Sequence, residues 1–352
     1  MKLLDTARLP DRLNDSQPEL WLTDISVLEG LDASFVNAHA HHDTNPWGWD
    51  AVRVVAELWH RRVGRVGMVA FDTGAYIDSV KRLSRYASRP IPCFIEALIL
   101  TPAEGEEWND LPGRAYFQAG PFSSSEDAGP LSSELAKLAR RRAEYQVRAW
   151  KENLDLGFGY EPDWPTLELR GMTEANLARD LVEAVRSRSP NPDAVWRQVP
   201  GLTTSPDDPN FARAFRTATM VLDSGVARVP RSSEFYMTTE QFIRLSGGRA
   251  WYMYVGKEHG VEADRSALLD RLAELELAGV CAIPQRNLDT RDHAADFAHL
   301  LQMLEARRTV TILGTELNAH GQWWYLDFSQ QPFAAHRGWL DYCWNAVANT
   351  AA

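Results

Sequence analysis

The segment Asn37-Ala38-His39-Ala40-His41-His42-Asp43 holds three of the chain's nine histidines within four positions. It follows the apolar run Ser34-Phe35-Val36, which reads as a buried strand over 34–39. Side chains two apart on a strand face the same way, so His39 and His41 point together from its C-terminal end. Two converging imidazoles suit a borderline divalent metal, and Asp43 could add an oxygen ligand. The plainer alternative is a polar loop, in which the rings need not meet.

Other chemistry-bearing residues also fall at strand ends. They are Asp72 after a run at 66–71, Glu96 within an apolar run at 91–100, and Asn318 and His320 after a run at 309–313. Glu96 stands out, because a carboxylate in an apolar strand is costly unless a metal or a cation such as arginine compensates it. Glu316 lies in the same late segment. Arg286, in the strand-end loop Ile283-Pro284-Gln285-Arg286-Asn287, could hold an anionic group bidentately or form a structural ion pair. His259, in a turn, reads as exposed. His293 can either face the site or cap a helix, and His60, His299 and His336 read as structural or exposed. Trp47 and Trp49 could wall a pocket, and with Trp323 and Trp324 could stack on a sugar.

These residues need elements to position them. Helical patterns follow the early strands at 50–62 and the late ones near 264–278 and 292–307, with further strands at 250–255 and 280–284. Alternating strands and helices over this length predict an α/β fold, a barrel or a doubly wound sheet. Active sites of α/β barrels lie at the C-terminal ends of the strands, where these candidates fall. Residues 103–248 break the alternation: loop composition comes first, then helices near 132–154 and 174–188, then a proline-punctuated connection. This segment reads as a helical insertion capping a single barrel domain that spans 1–352.

Bulk properties narrow the class. The chain has 352 residues, 45% hydrophobic and 24% charged, with a formal net charge of −11. An acidic chain without a basic block argues against nucleic acid as a partner. The run Arg140-Arg141-Arg142 sits in a helical pattern beside Glu134 and Glu144 and reads as a solvated face. Three separated cysteines imply no disulfide framework and fit a reducing, cytoplasmic setting. The N-terminus has no signal-peptide pattern, and no run of about 18 apolar residues suggests a membrane span. Nucleotide-binding glycine patterns and Ser or Cys nucleophile motifs are absent from the sequence.

The pattern resembles the PHP (polymerase and histidinol phosphatase-like) superfamily over about 34–101 and 247–321. His39-Ala40-His41 matches its opening His-x-His. Val69-Ala70-Phe71-Asp72-Thr73 stands where the family has Asp-His-Asp-Thr, Pro92-Cys93-Phe94-Ile95-Glu96 matches its glutamate motif, and Leu317-Asn318-Ala319-His320 matches Gly-Ser-Asp-Ala-His loosely. The resemblance implies a distorted (β/α)7, TIM-like barrel and a metal-dependent hydrolase of phosphoester type. Its metal ligands would be His39, His41, Glu96, Asn318 and His320. Asp72 or Glu316 would be the general base, and Arg286 would hold a small anionic substrate. Phe71 replaces a family histidine, Tyr254-Val255-Gly256 replaces Ala-His-Pro, and Asn318 replaces an aspartate. One divalent ion, at most two, is therefore expected, with Zn, Mn and Fe all compatible. The amidohydrolase superfamily shares the opening His-x-His, but it needs later histidines and none occurs between 60 and 259. A metal-dependent isomerase or lyase acting on a sugar or small acid, and a catalytically degenerate ligand-binding barrel, remain the alternatives.

Overall fold

The computed structural model describes residues 26–44, 47, 49–101, 106–110, 113–222, 224–284, 291–317 and 322–350. Among the described residues eight strands form one sheet: β1 (Asp32–His41), β2 (Val63–Phe71), β3 (Cys93–Leu100), β4 (Arg114–Ala119), β5 (Ala250–Tyr254), β6 (Gly279–Ala282), β7 (Thr311–Leu313) and β8 (Leu326–Asp327). Their order is β7-β6-β5-β4-β3-β2-β1-β8. The first three strands pair in parallel, as do β5, β6 and β7, while β4 runs antiparallel between β3 and β5. The sheet curls into a nearly closed barrel with helices outside it, the TIM-like α/β class expected.

Closure happens at β1. Its N-terminal half pairs antiparallel with β8, Phe35 opposite Asp327. Beside its C-terminal half lies the segment that follows β7. There the Thr315 N–H donates to Asn37 Oδ1 at 2.9 Å, and Asn37 Nδ2 donates to Thr315 Oγ1 at 2.7 Å. Gly314 makes this approach possible, since a Cβ on it would lie 2.4 Å from the backbone nitrogen of His39. A Gly314→Ala variant must push β1 away. It is expected to lose about 1–3 kcal/mol of stability, read by chemical denaturation, and to displace His39.

The helices in chain order are α1 (Ser26–Glu29), α2 (Ala51–His60), α3 (Ile77–Ala87), α4 (Ser125–Asn153), α5 (Trp164–Arg170), α6 (Glu174–Arg188), α7 (Pro192–Trp196), α8 (Phe211–Arg216), α9 (Thr239–Leu245), α10 (Arg265–Glu274), α11 (Arg291–Ala306) and α12 (Arg337–Thr350). Side-chain caps start several of them. Asp50 Oδ1 accepts from Arg53 N–H at 2.8 Å at α2, and Thr173 caps α6. Among the described residues, no helix is long and apolar enough to cross a membrane.

One difference from the sequence reading concerns residues 103–248. The six residues of β4 belong to the sheet, so that segment is not wholly an insertion. The chain leaves the sheet after β4 and re-enters it at β5. In between, α4, α6 and α8 gather around a hydrophobic cluster of their own that includes Trp150, Leu181 and Phe215.

Candidate metal centre

Residues Val36 to His41 of β1 are all buried. His39 and His41 share a face, as the two-residue period requires, with ring centroids 4.9 Å apart. Glu96 of β3 comes to them across β2. Its Oε2 lies 3.0 Å from His39 Nε2 and 3.4 Å from His41 Nε2. Neither contact has hydrogen-bond geometry, so Glu96 Oε2 is a buried oxygen without an aligned donor. Ligand atoms of the three residues all lie within 4.8 Å of one another, a group that could hold a metal ion.

The far ring nitrogens are anchored. His41 Nδ1 donates to Asp43 Oδ1 at 3.1 Å, while Asp43 Oδ2 accepts the Phe71 N–H at 2.8 Å. His39 Nδ1 donates to Gln118 Oε1 at 3.1 Å and lies 3.6 Å from Cys281 Sγ. A carboxylate or amide oxygen behind each imidazole fixes the ring and turns both Nε2 atoms toward Glu96, as in histidine metal sites. The donor set, the orphaned carboxylate oxygen and the oriented rings fit a divalent ion such as Zn, Mn or Fe.

The site's electrostatics follow from burial and proximity. Burial pulls the His39 ring down, but the Cys281 thiol and Glu96 outweigh it and carry the pKa to about 9. Burial likewise opposes protonation of His41, and Asp43 and Glu96 lift it to about 10. Burial would raise Glu96, yet the two imidazoles bring it to about 2. A cation entering the site competes with the ring protons. Metal affinity is therefore expected to rise with pH from neutral toward 9, with proton release on binding. Calorimetry of metal titrations in buffers of different ionisation enthalpy checks this.

Asp72 is mostly buried and sits at a positive φ of 57° just past β2. Its Oδ2 accepts from the guanidinium of Arg142, and its buried Oδ1 has no partner among the described residues. Burial raises its pKa and Arg142 lowers it, while Asp43, Glu174 and Glu96 raise it, for a result of about 6.

A cavity of about 250 Å³ opens beside the centre. Asp72, Glu96 and Glu316 line it from the barrel, and Arg142, Arg179, Arg213 and Arg216 line it from the helices. Glu316 continues the barrel closure, its carbonyl accepting from the His41 N–H at 3.4 Å.

The structure thus brings His39, His41 and Glu96 together and places Asp72 and Glu316 on the adjoining cavity. Asn318, His320 and Arg286 lie outside the described residues, as does the His293 side chain. Three expectations change. Asp43 has both oxygens engaged by His41 and the Phe71 amide, so it orients a ring rather than offering a ligand atom. Arg142 is not part of a solvated face: it is 7% exposed and paired with Asp72, because the helix turns that position inward. Trp47 stacks at 4.9 Å on both Trp49 and Trp324 instead of walling this cavity. His259 is exposed in its turn, 2.9 Å from Glu107. Gln118 escaped the sequence reading, although in Arg114-Ala115-Tyr116-Phe117-Gln118 it shares the alternate positions of Arg114 and Tyr116, the period-two signal of a polar face on a short strand.

A known structure shares the fold. The chain superposes on the crystal structure of a candidate metal-dependent phosphoesterase from Bifidobacterium adolescentis with a TM-score of 0.52 at 15% identity, covering 81% of this chain and 88% of that one. It also matches an amidohydrolase from Chromobacterium violaceum, solved with bound sulfate and no metal, with a TM-score of 0.49 at 14% identity over 81% and 88% of the two chains. No family model and no curated protein matches the sequence. At 15% identity the first likeness shows the class of fold, a TIM-like α/β barrel, and nothing narrower.

Proposed function

We propose that this protein is a metal-dependent hydrolase on a PHP-like barrel, acting on a phosphoester or related bond of a small anionic substrate. One observation carries the reading. Two imidazoles, each anchored from behind, converge within 3.4 Å on a buried carboxylate oxygen that has no aligned donor. A cation is the natural occupant of such a point, and His39, His41 and Glu96 would hold it. A divalent ion there would supply Lewis acidity toward water and toward a phosphoryl oxygen. Phe71 stands where the PHP resemblance expects a histidine, and its ring stacks on His41 at 4.9 Å. An apolar wall in that place favours one ion over a cluster.

The chain's own groups would do the rest. Asp72, with a pKa of about 6 and an unpartnered Oδ1, is suited to take a proton from attacking water near neutral pH. Glu316 is a second carboxylate on the same wall. Asp72 works as a base only when ionised, so the rate is expected to rise with pH through about 6 and then level off. Its Asn variant should lose that limb, which a pH profile of kcat/KM checks.

Assay of the purified protein with p-nitrophenyl phosphate, after loading with Zn²⁺, Mn²⁺ or Fe²⁺, tests the reading. Hydrolysis that chelation abolishes and re-addition of metal restores supports it. Metal-dependent isomerisation of sugar phosphates without phosphate release would instead favour an isomerase.

A further inference from the structure

Arg114, Tyr116 and Gln118 alternate onto one face of β4. Gln118 stands opposite Glu96 in the sheet and accepts from His39, and Tyr116 stands opposite Leu98, one rung farther along. That rung is about 7 Å from the Gln118 level. Tyr116 lines the same cavity as Asp72 and Glu96, and its ring centroid lies 6.0 Å from that of Phe71, which itself stacks on His41. The backbone at this rung is fixed. The Tyr116 N–H donates to Asn109 Oδ1 at 2.6 Å, its carbonyl accepts from Asn109 Nδ2 at 2.9 Å, and the same Nδ2 donates to the Met253 carbonyl of β5. The Tyr116 hydroxyl, by contrast, has no hydrogen-bond partner among the described residues, although the residue is half-buried and such hydroxyls usually find one. Burial and Asp110 push the phenol above its ordinary range against the pull of Arg216 and Arg114, so it stays protonated and offers an O–H. The charged groups on the barrel side of the cavity, Asp72, Glu96 and Glu316, are carboxylates, which accept when ionised and give an oxyanion no donor.

We propose that Tyr116 is a further catalytic residue, whose O–H donates to a non-bridging oxygen of the phosphoryl group held beside His39, His41 and Glu96. This rests on the metallohydrolase reading above and adds a residue to it. The phenol keeps its proton throughout. Its role is to offset the charge that grows on that oxygen as water attacks, on a wall whose carboxylates would otherwise repel it. The donor is preorganised, because Asn109 and the β3 and β5 pairings hold the backbone that carries it.

Inorganic phosphate, titrated by calorimetry into the full-length protein loaded with Zn²⁺, Mn²⁺ or Fe²⁺, tests this. The comparison is between wild type and Tyr116→Phe, which removes one oxygen and keeps the ring, with circular dichroism confirming that the variant is folded. Phosphate should bind the variant at least ~10-fold more weakly, the usual weight of a hydrogen bond to a charged group. With p-nitrophenyl phosphate as substrate, kcat should fall about 100-fold or more, a larger change than that in KM. An unchanged phosphate affinity in folded, metal-loaded Tyr116→Phe overturns the proposal, as does a metal-loaded wild type that binds no phosphate. Metal content measured on the same samples separates this proposal from the reading beneath it. Bound metal with no effect of the substitution sinks the role of Tyr116 alone. A Tyr116-dependent phosphate affinity in protein that takes up no metal sinks the metallohydrolase alone.

Discussion

A Glu96→Gln variant is expected to bind divalent metal more than ~100-fold more weakly than wild type, and to lose metal-dependent hydrolysis to the same degree. Outer partners of metal-bound histidines already cost about 10–100-fold when removed, and a ligand carboxylate should exceed that. Glutamine keeps the shape of Glu96 and its place opposite Gln118 in the sheet, so the barrel should persist. The anionic oxygen between the two imidazoles is lost. Relieved of it, both rings should titrate lower than about 9 and about 10, moving toward the neutral forms that bind metal. If metal affinity nonetheless falls, the carboxylate itself is responsible. Titration of the apo-protein with Zn²⁺ against a competing chelator, beside imidazole NMR, reads both effects. Unchanged affinity would remove Glu96 from the ligand set.

An Arg142→Met variant should be among the most destabilised single substitutions in the protein. Arg142 and Asp72 are 9% and 11% exposed at the side chain and pair across the cavity wall. Removing one member of a buried pair leaves the other charge uncompensated, at about 3–5 kcal/mol. For a domain of this size that is a fall in Tm on the order of 10 °C. The loss should depend on pH. Asp72 would titrate still higher than about 6 in the variant, against about 3.9 unfolded, so its penalty is absent below that unfolded value. The penalty then grows as pH rises through the folded pKa. Adding Asp72→Asn should restore much of the stability, because the uncompensated charge goes with it. Thermal unfolding of wild type and the two variants between acid and neutral pH tests this. Equal Tm values for wild type and Arg142→Met would show the pair to be energetically idle.

The candidate metal centre was readable in the sequence to the extent that it rests on short-range rules. Two histidines at strand period, and one carboxylate in an apolar run, lead directly to His39, His41 and Glu96. The barrel class follows from alternating patterns that are strong because parallel strands are covered on both faces. β4 was missed because it is short and antiparallel, follows Pro112 and Gly113, and is not preceded by a helix as the alternation requires. With it went Gln118, whose contact with His39 spans 79 residues. Arg142 was misread because a run of three arginines looks solvated. Only the packing of α4 against the barrel decides which of them turns inward. The helical wall of the cavity was invisible for the same reason: Arg179 and Arg213 lie on separate helices, and no local pattern marks that the chain folds them over one cavity.

The central claim is that His39, His41 and Glu96 bind a divalent ion. The most direct test is the metal content of the purified full-length protein by inductively coupled plasma mass spectrometry, beside a His39→Ala/His41→Ala variant confirmed as folded by circular dichroism. About one equivalent of a transition metal in wild type, lost in the variant, is the expected result. A wild type that stays metal-free after exposure to Zn²⁺, Mn²⁺ and Fe²⁺, or a variant that keeps its metal, would contradict it.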